Sequence, residues 1–129
     1  MLTPRRRERG GATVELVLSV PVLLLLIMLV VQLGLFWHAN HVAQAAAQEG
    51  VRAARVVDGS ADAGRERARA FVANAAPTLL HDVDITATRD GQTADVRVRA
   101  TVQAVVPGLS LTVDVESRSP TERFQGRTP

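Results

Sequence analysis

The residues with chemical reach are few, and their spacing decides how much they can do. His38 and His41 stand three apart, which on a helix brings both imidazoles to one face just beyond an apolar run. Two imidazoles make an incomplete metal site, and no carboxylate follows at helical spacing before Glu49. Anchoring at a membrane interface beside Trp37 is the better use of the pair. Asp82 and Asp84 alternate along an expected strand and share one side of it. Arginines on the next strand account for them better than an acid-base pair does. The chain has no Cys, which removes disulfides and thiolate chemistry, and it carries neither a G-x-S-x-G motif nor a P-loop. Catalytic residues, cofactors and metal ligands are therefore expected to be absent, and the role is expected to be non-enzymatic.

One carboxylate stands apart. Glu15 immediately precedes Leu16–Trp37, a run of 22 residues without Asp, Glu, Lys or Arg. A helix rises about 1.5 Å per residue and the hydrocarbon core is about 30 Å thick, so roughly 20 residues cross it. Arg5, Arg6, Arg7 and Arg9 come before the run, with Glu8 as the one acid among them. That excess of positive charge places the N-terminus in the cytoplasm and everything after Trp37 outside the cytoplasm. A carboxylate at the lipid edge is unfavourable without a partner. Arg9 is one candidate partner, and a neighbouring subunit is the other. Inside the run, Ser19 and Gln32 are expected to bond to backbone or to an adjacent helix.

The segment Arg9-Gly10-Gly11-Ala12-Thr13-Val14-Glu15 joins a short basic leader, a glycine and a carboxylate five positions on, all just before the span. It resembles the processing site of class III, type IV pilin-like signals. The resemblance implies cleavage by a prepilin-type peptidase between Gly10 and Gly11, with the span retained as the first helix of the mature subunit. It also implies that Glu15 meets the positive N-terminus of a neighbouring subunit during assembly. A rival reading takes Ala43-Gln44-Ala45 or Ala45-Ala46-Ala47 as an A-x-A cleavage site that releases a soluble product.

The same start, the Leu16–Pro21 stretch and the later run from Trp37 to Arg55, with its Glu-Gly-Val-Arg-Ala-Ala-Arg ending, resemble the TadE-like family of Flp (tight adherence) pilus assembly proteins. The resemblance covers a little over a third of the chain. It implies a pseudopilin-like structural subunit at the cell membrane, whose partners are other pilin-like subunits and the pilus assembly machinery. An uncleaved single-pass anchor presenting a small binding module outside the cytoplasm is the alternative.

Stepping outward from these residues, an α+β, pilin-like chain is expected to hold them. A basic leader over 1–10 gives way to a long helix over 11–57, broken only by Pro21, which membrane helices tolerate. Membrane lipid surrounds its span at about 16–37. On the projecting half, Ala39, Ala43, Ala46, Ala47, Gly50 and Ala54 recur at threes and fours and make one face of small side chains. Such a face lets another backbone approach closely, whether a neighbouring helix or the chain's own sheet. Asp58-Gly59-Ser60 ends the helix, and Ser60 caps a second one running to about Ala76, with an apolar face of Ala68, Phe71, Val72 and Ala75.

A three-stranded antiparallel meander completes the region 58–116. A two-residue turn at Asp90-Gly91 pairs Val83 with Val98, Ile85 with Val96 and Ala87 with Ala94, and sets Asp84 against Arg97 and Asp82 against Arg99. A wider turn around Pro107-Gly108 pairs Ala100 with Val115, Val102 with Val113 and Ala104 with Leu111. Residues 117–129 are polar and are expected to form a flexible tail. The hydrophobic fraction is 47%, much of it concentrated in the span, while aromatics are 3%, so the core outside it is expected to be thin. After Gly10 the chain carries 11 Arg against 12 Asp plus Glu. That balance excludes a nucleic-acid binder despite the overall pI of about 10.9.

Overall fold

The computed structural model describes residues 6–122, with side chains from Gly10 onward. Helix α1 spans Arg6–Arg55 and passes through Pro21 without a break. It begins before the expected residue 11 and ends two residues short of Val57, where Gly59 N–H donates to the Val56 carbonyl at 2.9 Å and turns the chain. Fifty residues make a rod of about 75 Å. Helix α2 spans Ala61–Ala75, opened by the expected cap: Ala63 N–H donates to Ser60 Oγ at 3.0 Å, with Asp62 in the first turn. Strands β1 (Leu80–Arg89), β2 (Thr93–Val102) and β3 (Leu111–Pro120) follow as an antiparallel sheet in the order β1-β2-β3.

The alternation read from the sequence gives the sheet its two faces. Ile85 and Ala87 of β1, Val96, Val98, Ala100 and Val102 of β2 and Val113 of β3 are buried on one side. Both helices cover that side, α1 over β2 and β3, and α2 against α1 and over β1. Apart from Gln32, the largest fully buried side chains are valines: Val96, Val98, Val102 and Val113. Little apolar area is buried per residue, in keeping with the thin core anticipated.

The register differs from the expected one by two residues in both hairpins. Ile85 faces Val98, Ala87 faces Val96 and Asp84 faces Arg99. On the other side Val102 faces Leu111, Ala100 faces Val113 and Val98 faces Val115. A shift of two conserves the side each residue points to, which is why the apolar face survives. The physical cause in the first hairpin is Asp90. Its carboxylate accepts from the N–H groups of Gln92 at 2.7 Å and Thr93 at 2.6 Å, and its own N–H donates to the Thr93 carbonyl at 2.9 Å. Asp90 and Thr93 therefore close the ladder, and Gly91-Gln92 make the turn.

At the far end of β1, two residues, Asp82 and Val83, bulge opposite Ala100. Asp82 takes φ 49° to make it. Hence Val83 has no cross-strand valine, and Asp82 does not face Arg99.

Two further expectations are corrected. Ala75 is exposed, because the buried stripe of α2 runs Gly64, Ala68, Val72 and on to Ala76. The chain does not loosen at Ser117: β3 continues to Pro120, Thr121 N–H donates to the Gln92 carbonyl at 3.0 Å, and Glu122 N–H donates to the Arg55 carbonyl at 2.9 Å. The rest of the expected tail, 123–129, and the first part of the leader, 1–5, lie outside the described residues.

Candidate functional site

Helix α1 divides into two regimes along its length. From Val14 to Val31 the large apolar side chains are exposed on almost every side, including Leu16, Val22, Leu25 and Ile27; Met28 is half-buried. An apolar surface of this kind, running round a single helix, has no folded partner among the described residues, and lipid is the solvent that suits it. The segment is long and apolar enough to cross a membrane.

From Gln32 onward one face is covered. Ala39, Ala43, Ala46, Ala47 and Ala54 are each 0% exposed, and Gly50 is buried with them. Their own sheet and α2 fill the face, so it is not available to a helix of a second subunit. Of the two uses open from sequence, the intramolecular one is realised.

Gly50 shows why the side chains there must be small. A methyl group added to it would stand 2.8 Å from the Gly64 carbonyl oxygen and 3.0 Å from Val96 Cγ1. A methyl on Gly64 would stand 2.9 Å from Ala54 Cβ. The two helices touch backbone to backbone at this pair, above β2.

The remaining sequence-selected residues scatter along the rod. Gly10 and Gly11 are exposed within α1, with open space around each α-carbon. Glu15 is exposed one turn further on. The side chain of Arg9, its candidate intramolecular partner, lies outside the described residues. Trp37 is 69% exposed and meets His41 edge to face, with ring centroids 6.2 Å apart. Exposed aromatic and imidazole side chains just past an apolar segment are what an interfacial belt requires. His81 Nε2 makes a short hydrogen bond with Gln103 Oε1.

The charged side chains act as struts on the solvent face. Arg97 grips Asp114 through two bonds, Nε to Oδ1 at 2.7 Å and Nη2 to Oδ2 at 2.6 Å, and Arg118 bonds Asp95 at 2.8 Å and Glu116 at 3.2 Å. Arg97 holds the Asp114 carboxyl below its usual range, and the N–H groups of Thr93 and Gln92 do the same for Asp90. Arg67 reaches across from α2 to Glu49 of α1 at 3.5 Å. The aspartates that meet arginines are therefore Asp95 and Asp114 rather than the expected Asp82 and Asp84: among the described residues Asp84 faces Arg99 without an ion pair, and Asp82 lies in the bulge.

Gln32 is the residue whose role sequence reasoning underestimated. It is 2% exposed, although it sits inside the uncharged run. Its Nε2 donates to the Gln103 carbonyl at 3.2 Å, while its Oε1 accepts from Val105 N–H at 2.6 Å and from Val106 N–H at 3.4 Å. One side-chain amide therefore pins the β2–β3 connection to the helix. The signal in the sequence was a lone amide in a hydrocarbon run, which called for a partner and left backbone and an adjacent helix equally open.

Fold and site together define a class: an α+β domain strung along the distal half of one long helix, whose proximal half is apolar all round and suited to anchoring. Within that architecture residues 10–52, one third of the chain, match the family model of TadE-like proteins. No curated protein and no solved structure matches the chain. The TadE-like resemblance read from the sequence is thereby supported.

Proposed function

We propose that the protein is a minor pseudopilin-like subunit of an Flp-type pilus or a related secretion apparatus, anchored by α1 and non-catalytic. One observation carries the reading: the family match over 10–52 begins at the glycine of the leader and takes in Glu15, the whole apolar run and the stalk beyond it. A prepilin-type peptidase cuts between Gly10 and Gly11 on the cytoplasmic side, the span stays in the membrane, and the domain after Trp37 stands outside the cytoplasm. Glu15 then meets a positive group on a neighbouring subunit, which offsets the unfavourable placing of a carboxylate at the edge of hydrocarbon.

Because the small-residue face of the stalk is filled by the chain's own domain, subunit contacts fall to the proximal half of α1, where Val14–Val31 present apolar surface. The same filling favours the second reading, an uncleaved anchor carrying a self-sufficient domain. Cross-linking separates the two. The natural chain has no Cys, so single cysteines placed at Val17 and Leu24 report only on engineered positions. In cells expressing the assembly machinery, both should cross-link to pilin-like subunits, and Glu15→Ala should reduce the yield several-fold. Cross-links that are absent, or indifferent to Glu15→Ala, would favour the uncleaved anchor.

A further inference from the structure

We infer that the β2–β3 loop, residues 103–110, is a second membrane contact that seats the folded domain directly on the outer leaflet. The inference rests on the reading that Leu16–Trp37 spans the bilayer, and it concerns where along the span the domain begins.

The two ends of the sheet are fastened at two levels of α1. At one end Glu122 N–H reaches the Arg55 carbonyl, and at the other the loop backbone reaches Gln32. Between those levels the helix rises about 34 Å, the length of a ten-residue strand, so the strands lie along the rod. A span of roughly 20 residues that starts at Leu16 ends near Leu35, one turn past Gln32. The loop tied to Gln32 accordingly falls at the lipid boundary or slightly within it.

The chemistry of the loop suits that depth. From Gln103 to Thr112 there is no charged residue, and the stretch includes Val105, Val106, Pro107, Leu109 and Leu111. Val105 and Pro107 are exposed, while Val106 and Leu109 are half-buried. Irregular backbone at membrane depth is tolerated only where its polar groups find protein partners. Gln32 supplies them to the Gln103 carbonyl and to the Val105 and Val106 N–H groups, and Leu109 N–H donates to the Val106 carbonyl at 3.2 Å. The buried amide within a hydrocarbon helix and the uncharged loop that it satisfies both fit a lipid surrounding. The opposite turn, Asp90 to Gln92, lies at the Arg55 level and stays in water.

Spin labels on single cysteines, introduced at Val105, Pro107, Gln92 and Leu24 of the full chain in phosphatidylcholine vesicles, measure the placement. The readout is collision with oxygen, which partitions into lipid, against collision with a water-soluble nickel chelate. Labels at Leu24, Val105 and Pro107 should favour oxygen several-fold relative to the label at Gln92. Two sites in the loop guard against one label disturbing it. A lipid-like Leu24 with water-like Val105 and Pro107 would overturn the loop's membrane contact while leaving the span intact. A water-like Leu24 would overturn the span, and the loop contact with it.

Discussion

Replacing Gln32 with Leu removes a side chain that satisfies three backbone groups of the β2–β3 loop. Leaving such groups without a partner costs about 1–3 kcal/mol when water cannot reach them. The expected outcome of Gln32→Leu is that loss of stability in detergent micelles, with faster amide exchange at Val105 ahead of the sheet. Unchanged exchange at Val105 would mean that the loop holds its position by other contacts. Asp90 and Asp114 give a pH dependence of definite sign. Both carboxyls lie below the ordinary range when folded, the first through the Thr93 and Gln92 N–H groups and the second through Arg97. Unfolding returns them to ordinary values near 3.8. Their contribution is therefore complete above about pH 5 and is lost as the pH falls through the folded values. Urea midpoints measured from pH 6 down to about pH 2.5 should fall, and the fall should be shallower in Asp90→Asn and Asp114→Asn.

At the level of elements, the contact between α1 and α2 sets a limit on side-chain size. Gly50→Ala would ordinarily favour a helix by up to about 1 kcal/mol. Here the added methyl meets the Gly64 carbonyl oxygen at 2.8 Å and Ala68 Cβ at 3.1 Å. The expected net effect is destabilisation by about 1–3 kcal/mol, read from thermal unfolding by circular dichroism. The bulge at Asp82 yields another test, since φ 49° is unfavourable for a branched side chain. Asp82→Val should destabilise by about 1–2 kcal/mol, and Asp82→Gly should not.

These elements also show what could be read in advance. Element types and order, the Ser60 cap and the apolar face of the sheet followed from local pattern, because parity along a strand depends only on the nearest residues. Register did not follow. It depends on Asp90 closing the turn through its side chain, on the bulge at Asp82 and Val83, and on Gln32 holding a loop more than 70 positions away. The small-residue face was visible as a close-approach surface, yet its occupant was settled only by the position of Gly64 above β2.

For the whole molecule, the long rod reconciles two demands. Its proximal half exposes apolar side chains suited to lipid, and its distal half supplies the core that a sheet of valines and alanines could not build alone. The charges on the outer face of the sheet contribute little to stability, since water and salt screen exposed pairs. In the proposed function, membrane and partners provide much of what fixes the molecule in place. In that proposal Glu15 and the Gly10–Gly11 bond connect this architecture to assembly, and processing is where it is most exposed to test. The deciding measurement is the intact mass of the chain extracted from membranes of cells that carry a prepilin-type peptidase. The account predicts a membrane-bound species lacking residues 1–10, and a full-length species for Gly10→Leu. A full-length wild-type chain in those membranes, or a soluble fragment starting after Ala45 or Ala47, would contradict it.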